Sequence, residues 1–598
     1  MAGSYMEIYR QWLSNDVFDE ATRAELLAIG DDIKEIEDRF YRELEFGTAG
    51  LRGILGAGIN RMNIYTVGKV TQGLCDMLLS RAADGEALPG KETAVVIAYD
   101  PRYKSADFAE ECARILAANG IRAYLFDDIR PTPELSFAVR HLGCSAGIMI
   151  TASHNPSAYN GYKVYGEDGA QMSVGDSNSL AGFVSGVKDY ASIKKMAMEE
   201  ACGAGLITVI GEDVDDAYLE NVHTLSLRMA DLSAHENGGL LSRFKMIYTP
   251  LHGTGNRLVR RVLQENGFKN VIIVPEQELP DPEFSTVKSP NPENREAFEM
   301  AIALAVRENV DIIIGSDPDC DRIGVVFRNR GGSYEVLTGN QIGCLLMEYI
   351  LSAKKDAGAL DPDRAFVVKS IVTTKLANLI AARYGVTIYE VYTGFKYICK
   401  VVKDVDEFGE GEFIYGFEES NGYLAGTFVR DKDGVITSML IAEMAAWYFS
   451  NGKTLADALE EIYTRYGYTE DDVVSYTLEG KEGLSRIASA MDTLRAERPS
   501  AFGGFSVSVC KDYLTGEIIE AGRGVTGATD MPEASNVLAY GMTDGSVFQI
   551  RPSGTEPKIK VYYGVTEATL EGAKKLLIDF KRAVSAVVEG LLYRSSEP

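Results

Sequence analysis

The 598-residue sequence has no CxxC pair and no dense cysteine framework; Cys75, Cys112, Cys144, Cys202, Cys320, Cys344, Cys399 and Cys510 stand singly. That argues against a disulfide scaffold and predicts reduced structural thiols. No apolar run approaches the roughly 18 residues that span a bilayer, and the N-terminal segment alternates polar and apolar residues, so a cytoplasmic protein is expected. Basic charge is also scarce: 60 Lys and Arg stand against 87 Asp and Glu, a formal charge of −27. Such a field opposes phosphate backbones and anionic lipid, so neither nucleic acid nor membrane is an expected partner. An anionic substrate would have to be met by basic groups gathered locally. A nucleotide-binding P-loop is missing too, because the one GK[ST], at Gly452, Lys453 and Thr454, has Trp447 where the first glycine belongs.

What is present is ordinary globular composition, 46% hydrophobic and 25% charged with 59 Gly and 18 Pro, which fits neither disorder nor a fibrous repeat. At roughly 150 residues per domain the length predicts about four domains. An internal repeat supports this. Residues 94–126, 244–275 and 365–391 each read strand, loop, amphipathic helix, glycine, strand, with Gly120, Gly267 and Gly385 where a helix end wants positive φ. The strands are nearly continuous in apolar character, as strands covered on both faces are. After the helical TLADALEEIYTRYG the chain turns to short alternating strands and closes with a helix near EGAKKLLIDFKRAVSAVVEGLL. The expected fold class is therefore α/β, three similar mixed-sheet α/β domains followed by a C-terminal α+β domain. The Pro- and Asp-rich segment 279–294 reads as an ordered surface connector.

The sharpest chemical signal is Ser316-Asp317-Pro318-Asp319-Cys320-Asp321-Arg322 between the apolar runs VDIIIG and RIGVVF. Three carboxylates at alternate positions in a loop tightened by Pro318 can converge on one hard cation, and would repel one another without it. An EF-hand is excluded, because Arg322 and Arg328 occupy its Gly and Glu positions. So few protein ligands leave room for a phosphate oxygen and water, which favours Mg²⁺.

A second signal, Thr151-Ala152-Ser153-His154-Asn155-Pro156, directly follows the strand-like AGIMI, where a nucleophile would stand exposed at a strand's C-terminal end. It is no esterase elbow, since Thr151 and Asn155 replace the glycines of GxSxG. Lys163 follows in NGYK as a nearby cation. The run from Arg551 to Lys558, RPSGTEPK, offers two cations, two hydroxyls and a glycine, the donor set that clasps a phosphate dianion. GFEESNGY around Glu418 and Ser420 offers carboxylates and a hydroxyl suited to sugar hydroxyls, and FGTAGLRG places Arg52 in a glycine-rich turn. Gly253-Thr254-Gly255 has Leu258 where a third glycine belongs, so no dinucleotide site is expected.

Taken together and in this order, FGTAGLRG, TASHNP, DPDCDR, GFEES and RPSGTEPK resemble the successive signatures of the α-D-phosphohexomutase family, from about Phe46 to Lys558. Within it, GFEESNGY and TGFKYI look most like the group of phosphoglucomutases and phosphopentomutases. The resemblance implies four domains around a central cleft, divided here as 1–208, 209–325, 326–455 and 456–598. It implies that Ser153 is phosphorylated and that Asp317, Asp319 and Asp321 hold Mg²⁺ together with a phosphoserine oxygen. Arg52, His154, Lys163 and Arg322 would surround the transferring phosphoryl group. Lys163 is expected to act as general acid or base, its pKa lowered toward neutrality by burial near other cations. Glu418 and Ser420 would bind sugar hydroxyls and Lys396 would line the cleft. Arg551, Ser553, Gly554, Thr555 and Lys558 would hold the phosphate that is not transferred.

The implied reaction interconverts glucose 1-phosphate and glucose 6-phosphate through a sugar 1,6-bisphosphate, which also serves as activator. Pentose or mannose phosphates are the alternative substrates. The expected partner is a small sugar phosphate, and the expected assembly a monomer or small homo-oligomer. A dehalogenase-like phosphatase using Asp317 or Asp319 as nucleophile leaves TASHNP and RPSGTEPK unexplained. A non-catalytic sugar-phosphate-binding regulator predicts loss of the serine or a carboxylate, and neither is lost.

Overall fold

The computed structural model describes residues 2–47, 50–85, 92–233, 240–409, 411–478, 480–531, 533–553 and 557–593. Its contacts divide the chain into two compact units, Met1–Phe366 with Gly394–Ala456, and Val367–Thr393 with Asp457–Pro598.

The first unit contains two mixed sheets. One runs in the order Leu51–Ile54, Tyr159–Gly166, Ala146–Ile150, Ala94–Tyr99, Arg122–Phe126, Ile207–Ile210. Its last four strands are parallel and Tyr159–Gly166 is antiparallel to both neighbours. The other runs Tyr334–Val336, Ile323–Arg328, Ile312–Ser316, Lys245–Thr249, Asn270–Ile273, again with parallel strands at one side and antiparallel ones at the other. The continuous apolar runs predicted for these strands are buried on both faces: Val95, Val96, Ile97 and Ala98 are fully buried, as are Ile313 and Ile314.

The repeat read from the sequence is present. Helices Ser105–Ala118, Gly255–Glu265 and Leu376–Tyr384 follow their strands, and Gly120, Gly267 and Gly385 sit at φ +75°, +87° and +71°. The third strand–helix–strand, Ala365–Ser370 to Thr387–Val391, lies almost wholly in the second unit. That unit also holds an antiparallel sheet ordered Tyr468–Thr477, Lys558–Glu567, Val547–Pro552, Leu538–Met542, Phe505–Asp512, Glu517–Glu520, Gly524–Ala528. Helix Leu570–Leu592 buries Leu577, Phe580, Val584 and Val588 with Phe548 and Val561 of this sheet, a 3.6-residue stripe against a two-residue alternation.

The N-terminal helices Ala2–Ser14, Glu20–Ala28 and Ile33–Phe40 were not expected. They bury Trp12, Phe18, Leu26, Ile36 and Phe40 as a separate cluster, with Trp12 and Phe18 stacked at 4.0 Å. No helix among the described residues is long and apolar enough to cross a membrane.

Candidate active site

All catalytic, metal and sugar candidates except the phosphate clasp fall in the first unit. The serine loop leaves the strand Ala146–Ile150 and returns as Tyr159–Gly166, so both ends are fixed by the sheet. Ser153 is 4% exposed and sits at φ +52°, a left-handed conformation costly for a non-glycine residue. The surroundings over-determine it. Its N–H donates to Thr151 Oγ1 (2.8 Å), and Thr151 Oγ1 in turn donates to Asp100 Oδ2 (2.7 Å). The buried Arg102 guanidinium donates to the carbonyls of Ser153, Asn155, Pro156 and Tyr159, and pairs with Asp100 at 3.1 Å. Gly161 of NGYK is required by close approach, since a Cβ there would lie 2.5 Å from the Thr151 carbonyl oxygen.

The metal-loop candidates close a tight antiparallel connection in which Ser316 pairs with Ile323. Asp317, Asp319 and Asp321 are all buried, and one oxygen from each lies within 4.8 Å of the others. Asp317 Oδ1 accepts from the N–H groups of Asp321 and Arg322, and Asp317 Oδ2 accepts from Ser153 Oγ at 2.9 Å. The candidate serine and one carboxylate of the candidate metal loop, 164 residues apart, are thus in direct contact. Asp319 Oδ1 and Asp321 Oδ1 are buried with no donor among the described residues. Burial, reinforced by Asp319 and Asp321, pushes Asp317 well above the usual carboxylate range. Two orphaned carboxylate oxygens beside a third buried carboxyl fit a hard divalent cation.

Gly253 shows why its loop needs glycine without a nucleotide: a Cβ would lie 2.5 Å from Pro318 Cα, and Thr254 N–H donates to the Pro318 carbonyl. Three loops hold one left-handed non-glycine residue each, Ser153, Cys320 at φ +52° and Asn421 at φ +60°. Asn421 ties the last two together, giving Nδ2–H to the Ile323 carbonyl and taking the Ile323 N–H on its own.

Lys163 is where the sequence expectation fails. Its Nζ lies 2.8 Å from Asp319 Oδ2 and 3.6 Å from Asp321 Oδ2. Burial alone would lower its pKa, but the two carboxylates outweigh burial and hold it above the ordinary lysine value. The neighbours anticipated as cations are anions at contact distance. His154, by contrast, is held to about 2 by burial and by the nearby Arg322 and Arg52, and so is neutral; its Nδ1 is 3.1 Å from Ser153 Oγ. Arg52 is exposed and donates to Asn155 Oδ1 at 3.3 Å. Arg322 bonds the Ser420 carbonyl at 2.6 Å and pairs with Glu293 at 2.9 Å.

Glu418 is buried at the end of the strand Glu412–Glu418 and accepts the Gly394 N–H at 2.6 Å. Burial and the adjacent Glu419 raise it to about 7. Ser420 is half-buried, and Lys396 lies in the first turn of the helix Phe395–Phe408 with Nζ 5.3 Å from the Tyr397 ring centroid. In the second unit, Arg551 pairs across to Lys560, and Ser553 N–H donates to the Lys558 carbonyl at 2.7 Å. Gly554 and Thr555 lie outside the described residues.

Several site residues escaped the sequence reading. Lys432 pairs with Asp321 at 3.0 Å and Asp431 at 2.9 Å, and Asp431 accepts from Tyr165 Oη. Thr132 gives both Oγ1–H and N–H to Asp319, each at 2.9 Å. The connector segment 279–294 reaches the site as well: Ser289 Oγ donates to the His154 carbonyl, and the Phe284 ring covers the Arg102 guanidinium at 4.9 Å. The run RDKDG at 430–434, charged between apolar stretches as the metal loop is, was the available signal for Lys432.

Comparison with known proteins agrees in order and extent. The chain matches the phosphoglucomutase/phosphomannomutase alpha/beta/alpha domains I, II and III at residues 43–189, 216–332 and 338–466, and the C-terminal domain at 516–575. A curated phosphoglucomutase of Staphylococcus haemolyticus is 38% identical over 535 residues, 90% of this chain and 92% of the relative. One of Staphylococcus epidermidis is 37% identical over 570 residues, 95% and 97% of the two chains. Among solved structures, the open form of Paramecium parafusin, a phosphoglucomutase, aligns with a TM-score of 0.68 at 16% identity, covering 93% of this chain and 97% of its own. A phosphoglucomutase/phosphomannomutase family protein of Burkholderia thailandensis aligns at 0.63 and 18% identity, covering 91% and 98%.

Proposed function

The chain belongs to the phosphoglucomutase/phosphomannomutase family, and on that footing we propose that it works as a phosphoglucomutase with Ser153 as its phosphoryl carrier, interconverting glucose 1-phosphate and glucose 6-phosphate. It is an isomerase-class phosphotransferase. The observation that carries the assignment of Ser153 is its Oγ at 2.9 Å from Asp317, beside two carboxylate oxygens without donors among the described residues.

Phosphoryl transfer needs in-line placement and neutralisation of the phosphoryl oxygens more than covalent help. Asp317, Asp319 and Asp321 would hold Mg²⁺, which would supply Lewis-acid neutralisation of the phosphoryl group. Arg52 and Arg322 add positive charge around the group, and neutral His154 offers a hydrogen bond rather than a charge. A sugar hydroxyl attacks phosphorus, the bond to Ser153 Oγ breaks, and the proton given up by the hydroxyl is made good on Ser153 Oγ. Lys163, an ammonium held by Asp319, is the group we assign to that proton exchange. The bisphosphate then turns around, its other phosphate returns to Ser153, and the same compound serves as activator of unphosphorylated enzyme.

We assign Glu418 and Ser420 to the sugar hydroxyls, Lys396 to the substrate cleft, and Arg551, Ser553, Gly554, Thr555 and Lys558 to the phosphate that stays on the sugar. The domain division at 208, 325 and 455 belongs to the same reading. The test is turnover of glucose, mannose, ribose and deoxyribose 1-phosphates by the purified protein. Glucose 1-phosphate is expected to have the highest kcat/KM, and a higher value for deoxyribose 1-phosphate would overturn the hexose assignment.

A further inference from the structure

A cavity of about 130 Å³ lies wholly within the second unit, between the segment that carries Lys369 and Lys375 and one face of the antiparallel sheet, where Lys511 and Gln549 stand. Lys369 is 1% exposed; its Nζ donates to the Thr373 carbonyl at 2.9 Å and lies 3.1 Å from Glu390. Among the described residues, neither Lys375 nor Lys511 has a carboxylate within ion-pair distance. The wall also carries Asp471, and Glu390 is committed to Lys369, so three ammonium groups face two carboxylates in a chain whose net charge is −27. Three ammoniums sharing so small a space repel one another unless an anion joins them. Burial and the neighbouring Lys369 and Lys511 hold Lys375 below the ordinary lysine value against the pull of Glu390.

We propose that this cavity is a binding site for a free orthophosphate-class anion, held by Lys369, Lys375 and Lys511 and distinct from the Arg551–Lys558 clasp. The volume is enough for a tetrahedral oxyanion with a bound water. Lysine suits such a ligand as a point charge, and Gln549 supplies an amide donor beside it. Thr374 Oγ1, on the same wall, already takes the Leu376 N–H, so the helix Leu376–Tyr384 begins at the cavity and adds its partial positive end. Among the described residues, none of those assigned to glucose phosphates lines this space.

The test uses crystals of the full chain soaked in sodium tungstate, whose anomalous signal locates a phosphate-like anion. A peak between Lys375 and Lys511 is expected in the wild type, falling at least tenfold in Lys511→Gln while any peak at the 551–558 clasp is unchanged, and returning in Lys511→Arg. Inorganic phosphate should displace this peak at a concentration at least tenfold lower than glucose 6-phosphate does. No peak in the wild type, or an equal peak in Lys511→Gln, would overturn the site. Displacement by glucose 6-phosphate at the lower concentration would overturn its assignment to the free anion.

Discussion

Arg102 donates through Nη2 to the main-chain carbonyl of Ser153, so the residue in the left-handed conformation is held from beneath by a buried guanidinium. The same fork reaches three further carbonyls of the loop and pairs with Asp100, while Phe284 covers its face. Removing it in Arg102→Met leaves Asp100 buried without its cation, at a cost of about 3–5 kcal/mol in urea unfolding. Arg102→Lys restores charge without the planar fork. We expect it to regain most of the stability yet to keep kcat at least tenfold below wild type with little change in KM. Wild-type kcat in Arg102→Lys would show that the fork does not position the serine.

Asp319→Asn should reduce Mg²⁺-dependent turnover by roughly 10³-fold or more, because it removes a charge from the ligand set proposed for the cation. Circular dichroism should stay native, since Thr132 N–H still has the residue's main-chain carbonyl to bond and Lys163 keeps Asp321 at 3.6 Å. Near-normal rates across a Mg²⁺ titration would take this loop out of the reaction.

A buried carboxylate that loses its hydroxyl partner costs about 1–3 kcal/mol, enough to separate sugars by tenfold or more. Glu418→Gln should therefore weaken turnover of glucose 1-phosphate at least tenfold while phosphorylation of Ser153 is retained. Its Gly394 N–H bond can be kept by the amide oxygen, so the strand end stays in place. Equal turnover of all four sugar 1-phosphates by wild type and variant would show that Glu418 does not read the sugar.

Asp433 caps the helix Gly434–Ser450, accepts from Tyr218 Oη, and is raised to about 7 chiefly by burial. A carboxyl raised in the native state stabilises it fully below the unfolded pKa near 4, and that contribution is lost as pH climbs through the native value near 7. Wild type should accordingly lose stability relative to Asp433→Asn between pH 4 and 7, by at most about 1.4 kcal/mol per pH unit. Parallel stability curves for the two proteins over that range would contradict it.

Much of this was readable in local sequence. The repeat was legible because strand, helix and glycine C-cap fall within about thirty residues, and the glycines at 120, 267 and 385 adopt the conformation their position demands. The serine loop and the three-aspartate loop could be located because each is one short run between strands. What reading along the chain could not reach were partners brought from elsewhere: Lys432 onto Asp321, Thr132 onto Asp319, and Arg102 onto the carbonyl of Ser153. The misjudged pKa of Lys163 has the same origin, since Asp319 is 156 residues away and nothing local marks it as the neighbour. The N-terminal helices were missed although Asp19 and Asp32 are ordinary capping residues, each accepting N–H groups of the turn that follows.

The central claim is that Ser153 carries the phosphoryl group. Intact mass and peptide mapping of the protein incubated with glucose 1,6-bisphosphate and Mg²⁺ test it most directly. The prediction is acid-stable phosphate on Ser153, absent from Ser153→Ala and transferred to glucose 1-phosphate on mixing. A hydroxylamine-labile acyl phosphate on Asp317 or Asp319, with Ser153 unmodified, would contradict it.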